Sequence, residues 1–487
     1  MTRLQRVALF SLMSLLVLVA AGWYLAFGES AEVAWTDVTG IHPKLAPVNV
    51  QRIPTLGLAS PIGWKPGEAP VAAQGLAVTR FADGLEHPRT MLVLPNGDVI
   101  VAQTNAPAAQ DGHGLVGWIT GKIMTYVGAG VASPNSLVVL RDANHDGVAE
   151  QRFVMANPAL NSPFGLVFRD NHLIVADNDA VLSFPFTPGQ TALPAAPEKL
   201  LDLPKGGEHW ARNLLLSPDG TKLYVSIGSA TNVADKGIDY EKGRAQITEY
   251  DFATKADRTF ASGMRNANGM DWNPASGELW AVVNERDQLG SDVPPDYLAS
   301  VPIGAHFGWP WIYWKKYVDP RVEDSMPDYL SDYVKKPEYS LGPHVAPLGL
   351  AFARGGNVMG PAYASGAFVA DHGSWNRQPM SGYDVVFIGF DGRGNPLAQP
   401  PREVLTGFLT ADHKHTRGRP VWVAFAGDGA LLVSDDTGGV IWRVTAPGAA
   451  PAAAIAPVSS GLVPRTKPIY GTIATPDENS ALAKPKE

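Results

Sequence analysis

Between Gly206 and Asn232 the sequence GGEHWARNLLLSPDGTKLYVSIGSATN sets His209 and Arg212 ahead of an apolar run, Leu214–Leu216. After a second run, Leu223–Ile227, it returns to polar Ser229 and Asn232. A histidine with an ordinary pKa of about 6.5 can take up a proton near neutral pH. A guanidinium can hold a carboxylate or phosphate through two parallel hydrogen bonds. What would bring these groups together is the turn Ser217-Pro218-Asp219-Gly220. Asp-Gly between two apolar runs predicts a hairpin, because Gly takes a positive φ without steric cost. His209, Arg212, Ser229 and Asn232 then share one end of the molecule, opposite Asp219-Gly220.

A single hairpin cannot bury both of its faces, so a larger element has to position these residues. The pattern recurs as MLVLPNGDVIVAQ (91–103), GLVFRDNHLIVAD (165–177), LLLSPDGTKLYVS (214–226) and MDWNPASGELWAV (270–282). It returns as GLAF (349–352) with GAFVAD (366–371), and last as VAFAGDGALLVSD (423–435). Six hairpins over one propeller's length of chain predict an all-β fold, a six-bladed β-propeller, since a closed ring covers both faces of every sheet. A sandwich of short strands is the plainer alternative, and six copies of one motif favour the ring. Asp287–Asp332, rich in Pro, Trp and Tyr, reads as a lid or flap on the polar end.

Hairpin geometry applied to all six copies gathers one set of side chains. Leading into the inner strands are His87, Arg89, Ser162, His209, Arg212, Arg265, Asn266, His344, Arg417 and Arg419. Leaving the paired strands are Gln103, Asn105, Asp177, Asn178, Ser229, Asn232, Asn284, Glu285, Arg286, Asp371, His372, Ser374, Asn376, Asp435 and Asp436. The turn ends hold mostly Asn, Asp, Gly and Pro, which turn geometry alone explains. Five guanidiniums, those of Arg212, Arg265, Arg286, Arg417 and Arg419, would repel one another around a channel unless acids offset them or an anion binds. Pairing with Asp177, Glu208, Glu285, Asp371 and Asp435 would make each a salt bridge between blades. As a cluster they read as an anion site over the channel. Beside them His209 reads as a general base; alone it would read as a structural histidine donating to a carbonyl.

Asp142, Asn144 and Asp146 alternate before Gly147 in RDANHDGVAE (141–150), an oxygen-rich loop of the kind that wraps Ca²⁺ or simply closes an Asx-rich turn. No glycine-rich phosphate loop opens a helix and no serine nucleophile elbow is present, so the sequence does not support a Rossmann-bound nicotinamide or flavin, or serine hydrolase chemistry.

The chain has 487 residues and a net charge of 39 − 47 = −8, which speaks against a general nucleic-acid role. It has no cysteine, which excludes disulfides and thiolate sites. Gly (50) and Pro (41) fit a turn-rich body. Arg3 and Arg6 precede an uncharged run, 7–27, long enough to span a bilayer, so residues 1–28 read as a membrane anchor or uncleaved signal. The two arginines keep the N-terminus cytoplasmic and place the body in the periplasm at the inner membrane. Residues 29–80 read as a linker packed on the domain, 81–445 as the propeller and 446–487 as an Ala/Pro-rich, disordered tail.

Five stretches carry a resemblance: GGEHWARNLLLSPDGTKLYVSIGS, GMRNANGMDWNPASGELWAVVNERDQLG, GAHFGWPW, FVADHGSWNR and GRPVWVAFAGDGALLVSDD. Over roughly Phe81–Val444 the chain resembles the L-sorbosone dehydrogenase-like quinoproteins, relatives of soluble quinoprotein glucose dehydrogenase and the aldose sugar dehydrogenases. The resemblance implies pyrroloquinoline quinone and Ca²⁺ over the channel. His209 would take the proton of a sugar or sugar-derived aldehyde or alcohol as hydride passes to the quinone, and Ca²⁺ would polarise the quinone carbonyl. Arg265 and Asn266 match the pair that contacts the cofactor, and Arg417 and Arg419 the pair near its carboxylates; Arg212 joins them. His372 stands where glucose dehydrogenase has a cofactor-facing lysine. The family's Ca²⁺ loop corresponds to Asn284, Glu285 and Arg286, where an acid and a base depart from its pattern. Electrons would leave to a respiratory acceptor. The alternatives are a Ca²⁺-dependent, lactonase-like propeller hydrolase, using Asp177, Asn232, Asn284 and Glu285, and a non-catalytic binding propeller.

Overall fold

The computed structural model describes residues 2–107, 121–194 and 196–458. Six antiparallel sheets are arranged as blades, five of four strands and the fifth blade of five, its extra edge strand being Val71–Ala72; each predicted hairpin supplies the two inner strands of one blade. The inner strands in chain order are Pro88–Val93, Gly165–Arg169, Arg212–Leu216, Asn266–Trp272, Pro347–Phe352 and Pro420–Phe425. The ring is closed by the chain's own beginning: Ala77–Ala82 pairs with Val440–Thr445 as the outer strand of the sixth blade.

Blade two shows why these sequences need a ring. Along His172–Ala176, Leu173 and Val175 pack towards blade one with Ile100, Leu137 and Val139. Ile174 and Ala176 pack towards blade three with Leu214, Leu223 and Val225. Side chains alternate sides along a strand, so a run apolar at every position is satisfied only between two neighbouring sheets. The turn of this blade, Asp170-Asn171, has both residues at positive φ, 48° and 56°, the backbone of a tight two-residue hairpin. At the hub, three glycines mark where inner strands crowd. A Cβ on Gly165, Gly269 or Gly349 would sit 2.6–2.8 Å from the next strand's backbone.

The loops at the two ends differ as the hairpins predict. Blade four breaks the regular pattern within the expected flap, but the excursion begins later than the sequence placed it. Pro295–Ser300 is the third strand of the blade, inside the expected flap, and the excursion runs from Val301 to the fourth strand, Tyr339–Pro343. It reaches the polar end through Trp309, whose indole N–H donates to the Asn232 carbonyl, and Arg321, which donates to the Asp287 carbonyl.

The segment before the ring straps the polar end of blades four to six. Gln51 pairs backbone to backbone with Gln288, Gly57 donates to Trp375 O, and Ser60-Pro61 pairs with His415-Thr416. Beyond the ring, residues 446–458 of the expected tail lie along the turn ends of blades five and four, with Ala452 bonded to Gly356 and Asn357 and Val458 to Ala275. The remainder of that tail lies outside the described residues. Arg3–Phe27 is a single helix, and its large apolar side chains from Leu4 to Trp23 are exposed; among the described residues it alone is long and apolar enough to cross a membrane.

Candidate functional site

His209 and Ser229 meet across the third hairpin. Arg212 pairs with Ile227 in register, which carries the loops beyond them side by side at the polar end. Nδ1 of His209 lies 2.8 Å from the Ser229 carbonyl oxygen and 3.0 Å from the Ser229 hydroxyl. A carbonyl can only accept, so the ring proton sits on Nδ1. The hydroxyl sends its own proton to Thr231 O and is free to accept as well. Nε2 is left as a lone-pair acceptor with no hydrogen-bond partner among the described residues. Loss of surrounding water, then the Arg265 cation, pull the imidazole pKa down to about 3, so the ring is neutral at physiological pH.

Arg265 forms the wall beside it. Its guanidinium donates to Asn232 O and Oδ1, to Asp287 Oδ2 at 2.9 Å and to Glu285 O. Burial works against a charged Asp287, but Arg265 and His344 outweigh it and hold its pKa below the usual value. Asn266 lies against His209: a Cβ on Gly228 would meet both Asn266 Oδ1 and the His209 side chain. That buried Oδ1 has no partner among the described residues.

The opposite wall comes from blades one, five and six. Asp436 takes Arg89 at 2.9 Å and His372 Nε2 at 2.9 Å. Arg419 donates to the carbonyls of His372 and Gly373 and stacks on Tyr383. Burial first, then Arg419, pull His372 down to about 4. Several buried polar atoms lack partners here among the described residues: His87 Nδ1, Arg89 Nε, Asp436 Oδ1 and Thr437 Oγ1. Such atoms are rare in a finished core, and here four of them gather on one wall. Phe164 meets Trp210 and Trp422 edge to face, and Arg89 lies over Trp210.

The remaining expected residues are placed elsewhere. Arg212 is fully buried and faces backbone: it donates to the carbonyls of His209, Ala211 and Pro204, and with Arg244 it staples the loop that carries His209. Burial, then Arg244, lower its pKa to about 9. It positions the histidine, and its Nε is left buried without a hydrogen-bond partner among the described residues. Arg417 is half-exposed, 3.9 Å from Glu68 of the strap. Glu285 and Arg286 pair with each other at 2.9 Å, and Arg286 turns outward to Pro310 O and Ile312 O of the blade-four excursion. Arg286 thus takes one oxygen of the Glu285 carboxylate, and the Asn284 amide donates to Pro347 O. Asp142, Asn144 and Asp146 lie at the turn end of blade one, opposite His209. Oxygens of Asp142, Asp146 and Glu150 lie within 4.8 Å of one another, and the three residues already accept from backbone N–H groups of the loop. The residue that sequence reasoning undervalued is Arg89. It stood at an inner-strand entrance with the others, but nothing in its local sequence distinguished it from a surface arginine.

Residues 130–296 and 319–447 match the TrAA12-like family. The chain belongs to that family. An uncharacterised protein of Borreliella burgdorferi is 34% identical over 245 residues, covering 50% of this chain and 62% of that protein. A pyrroloquinoline quinone-dependent pyranose dehydrogenase of Coprinopsis cinerea is 24% identical over 430 residues, covering 76% of this chain and 54% of the relative. The chain thus spans between half and two thirds of these relatives' lengths. The solved structure of the Trichoderma reesei AA12 enzyme superposes with a TM-score of 0.62 at 21% identity, covering 77% of this TrAA12-like chain and 97% of the fungal one. That likeness supports the propeller and its closure.

Proposed function

We propose that this TrAA12-like protein is a quinoprotein oxidoreductase that binds pyrroloquinoline quinone at the mouth and oxidises a sugar, or a sugar-derived aldehyde or alcohol of the sorbosone or aldose type. The observation that carries the reading is His209 Nε2, a neutral acceptor held without a partner between two walls of guanidinium groups. A polycarboxylate cofactor fits these residues. Arg265 with Asn266 on one wall, and Arg89, Arg419 and His372 on the other, would hold it, and the unpartnered Arg89 Nε and Asn266 Oδ1 are atoms it can satisfy. When bound, the quinone supplies an acceptor for the two electrons that leave the substrate as hydride. His209 Nε2 takes the substrate hydroxyl proton while its Nδ1 proton stays fixed on Ser229, and the substrate carbon–oxygen bond becomes a carbonyl. The Phe164, Trp210 and Trp422 cluster keeps water from entering through the channel.

Calcium is part of the proposal, but not on the side chains of Glu285 or Arg286, which neutralise each other. The Glu285 carbonyl already accepts from Arg265, so the backbone oxygen this loop would give it is that of Arg286. The hydrolase alternative also needs Asn232 and Glu285 around a metal, and both side chains are already engaged by arginines. We place the body outside the cytoplasm, anchored by the helix, with a respiratory acceptor taking the electrons.

The test is reconstitution. Purified protein given pyrroloquinoline quinone and Ca²⁺ should bind the quinone and reduce a dye in the presence of an aldose. Lactone hydrolysis without quinone, or no quinone binding, would reject the assignment.

A further inference from the structure

The helix Arg3–Phe27 is not joined to the propeller by a free tether. Gly28, its capping residue, packs against Thr55, and Glu29 N donates to the Thr55 hydroxyl. The Glu29 carboxylate takes the amides of Asn49 and Gln51, and its carbonyl takes the Ser291 hydroxyl. Tyr24, in the last turn, reaches Ile53 O. These partners belong to the strap and to the polar end of blade four. Gln51 is paired with Gln288, the neighbour of the mouth carboxylate Asp287, and Asn376 ties Thr55 to Gln288. The end of the helix is therefore built into the rim of the mouth.

Around this junction the rim is apolar and exposed. Val50 is 44%, Ile53 48% and Trp375 45% accessible, and Trp375 O takes the Gly57 N–H that follows them in the strap. Large apolar side chains normally turn away from water; grouped beside a membrane-length helix, they meet lipid headgroups and upper acyl chains at no such cost. A tryptophan suits that zone because its ring is apolar and its N–H is polar.

We propose that the mouth end of the propeller, at Val50, Ile53 and Trp375, docks on the lipid surface that the helix crosses, so that the site opens beside the membrane. This rests on the reading of Arg3–Phe27 as a membrane span, and the two can fail separately. The chain has no cysteine, so single cysteines can be labelled without background. Full-length protein carrying Ile53→Cys, Trp375→Cys, Val17→Cys or Asp219→Cys, each with an environment-sensitive fluorophore, would be reconstituted into phosphatidylcholine–phosphatidylglycerol vesicles. On reconstitution the labels at 53 and 375 should shift to the blue and be quenched by nitroxide-bearing lipid, and the label at 219, on the opposite end, should show neither change. Quenching at 17 with none at 53 and 375 overturns the docking and keeps the anchor. No quenching at 17 overturns both.

Discussion

The two walls of the mouth each present a histidine whose pKa burial has pulled down, to about 3 for His209 and about 4 for His372. They differ in what holds them. His209 gives its Nδ1 proton to a carbonyl and keeps Nε2 unengaged, whereas His372 spends Nε2 on the Asp436 carboxylate. One wall leaves a base available for chemistry, and the other builds a charged lattice of Arg89, Asp436, His372 and Arg419. On the proposed reading the hydrogen-bond partner, and not the residue type or the exposure, would separate a proton-accepting imidazole from a cofactor-binding one.

The sharpest way to break this comparison is to remove each ring in turn. His209→Gln should lower kcat by about 10²–10⁴-fold, the usual worth of a positioned general base, with quinone binding retained. His372→Gln should act mainly on cofactor affinity. Equal losses of kcat in steady-state assays of the two reconstituted variants would show that the walls are not distinct in function.

Next in size is the lattice itself. Asp436 is buried and pairs with two cationic or hydrogen-bonding partners. Asp436→Ala leaves them without their acid and should cost about 3–5 kcal/mol of stability, as expected when one member of a buried pair is removed. Guanidinium denaturation of the cofactor-free protein measures it. A loss no larger than that of an ordinary surface change would mean the lattice is not what orders this wall.

Much of this was legible in the sequence. Five hairpins with Asp-Gly, Asn-Gly or similar turns, and a sixth pair of apolar runs without one, pointed to the ring, and hairpin geometry alone put His209 and Ser229 at one end. Strand alternation carried the rest of the ring, since both faces of Leu173–Ala176 are apolar. The direction in which each arginine points was not legible. Arg212, Arg265, Arg286, Arg417 and Arg419 all stand at the right end, yet only Arg265 and Arg419 join the walls. Arg212 is claimed by loop carbonyls, Arg286 by its neighbour Glu285, and Arg417 by the strap. Of these partners, Glu68 beside Arg417 and the Pro310 and Ile312 carbonyls that hold Arg286 come from distant segments, the strap and the blade-four excursion, whose paths no local periodicity records. The resemblance supplied the roles of Arg265, Asn266 and Arg419 but not of Arg89, which only the assembled lattice brings out.

A smaller effect should separate the walls by pH. In the folded, cofactor-free protein both imidazoles are harder to protonate than in the unfolded chain, where a histidine titrates near 6.5. As pH falls the unfolded chain gains those protons first, so each ring's contribution is complete above about pH 6.5 and is lost progressively towards the folded values of about 3 and 4. Asp436 acts in a lower window. Its pKa is depressed because His372 and Arg89 outweigh the cost of burial, so its contribution holds above about pH 4 and fades below that. Denaturation midpoints followed from pH 8 to 5 should decline, and His209→Gln and His372→Gln should each flatten part of that decline. Unchanged slopes in both would mean the rings titrate normally.

The smallest expected effect concerns Arg417. The resemblance pairs it with Arg419, but the two guanidiniums meet different surroundings. Arg419 clips two backbone carbonyls and stacks on Tyr383, and Arg419→Ala should weaken quinone binding by tenfold or more, about the worth of one or two charge-assisted hydrogen bonds. Arg417 sits 3.9 Å from Glu68, with about a third of each side chain exposed to solvent. Water and salt screen such a pair to about 0–1 kcal/mol. Arg417→Ala should therefore leave both the denaturation midpoint and the quinone affinity, read by absorbance titration, nearly unchanged. If it weakened the quinone as much as Arg419→Ala, the anion would have to extend over the strap, and the boundary drawn between the lattice wall and the N-terminal segment would be wrong.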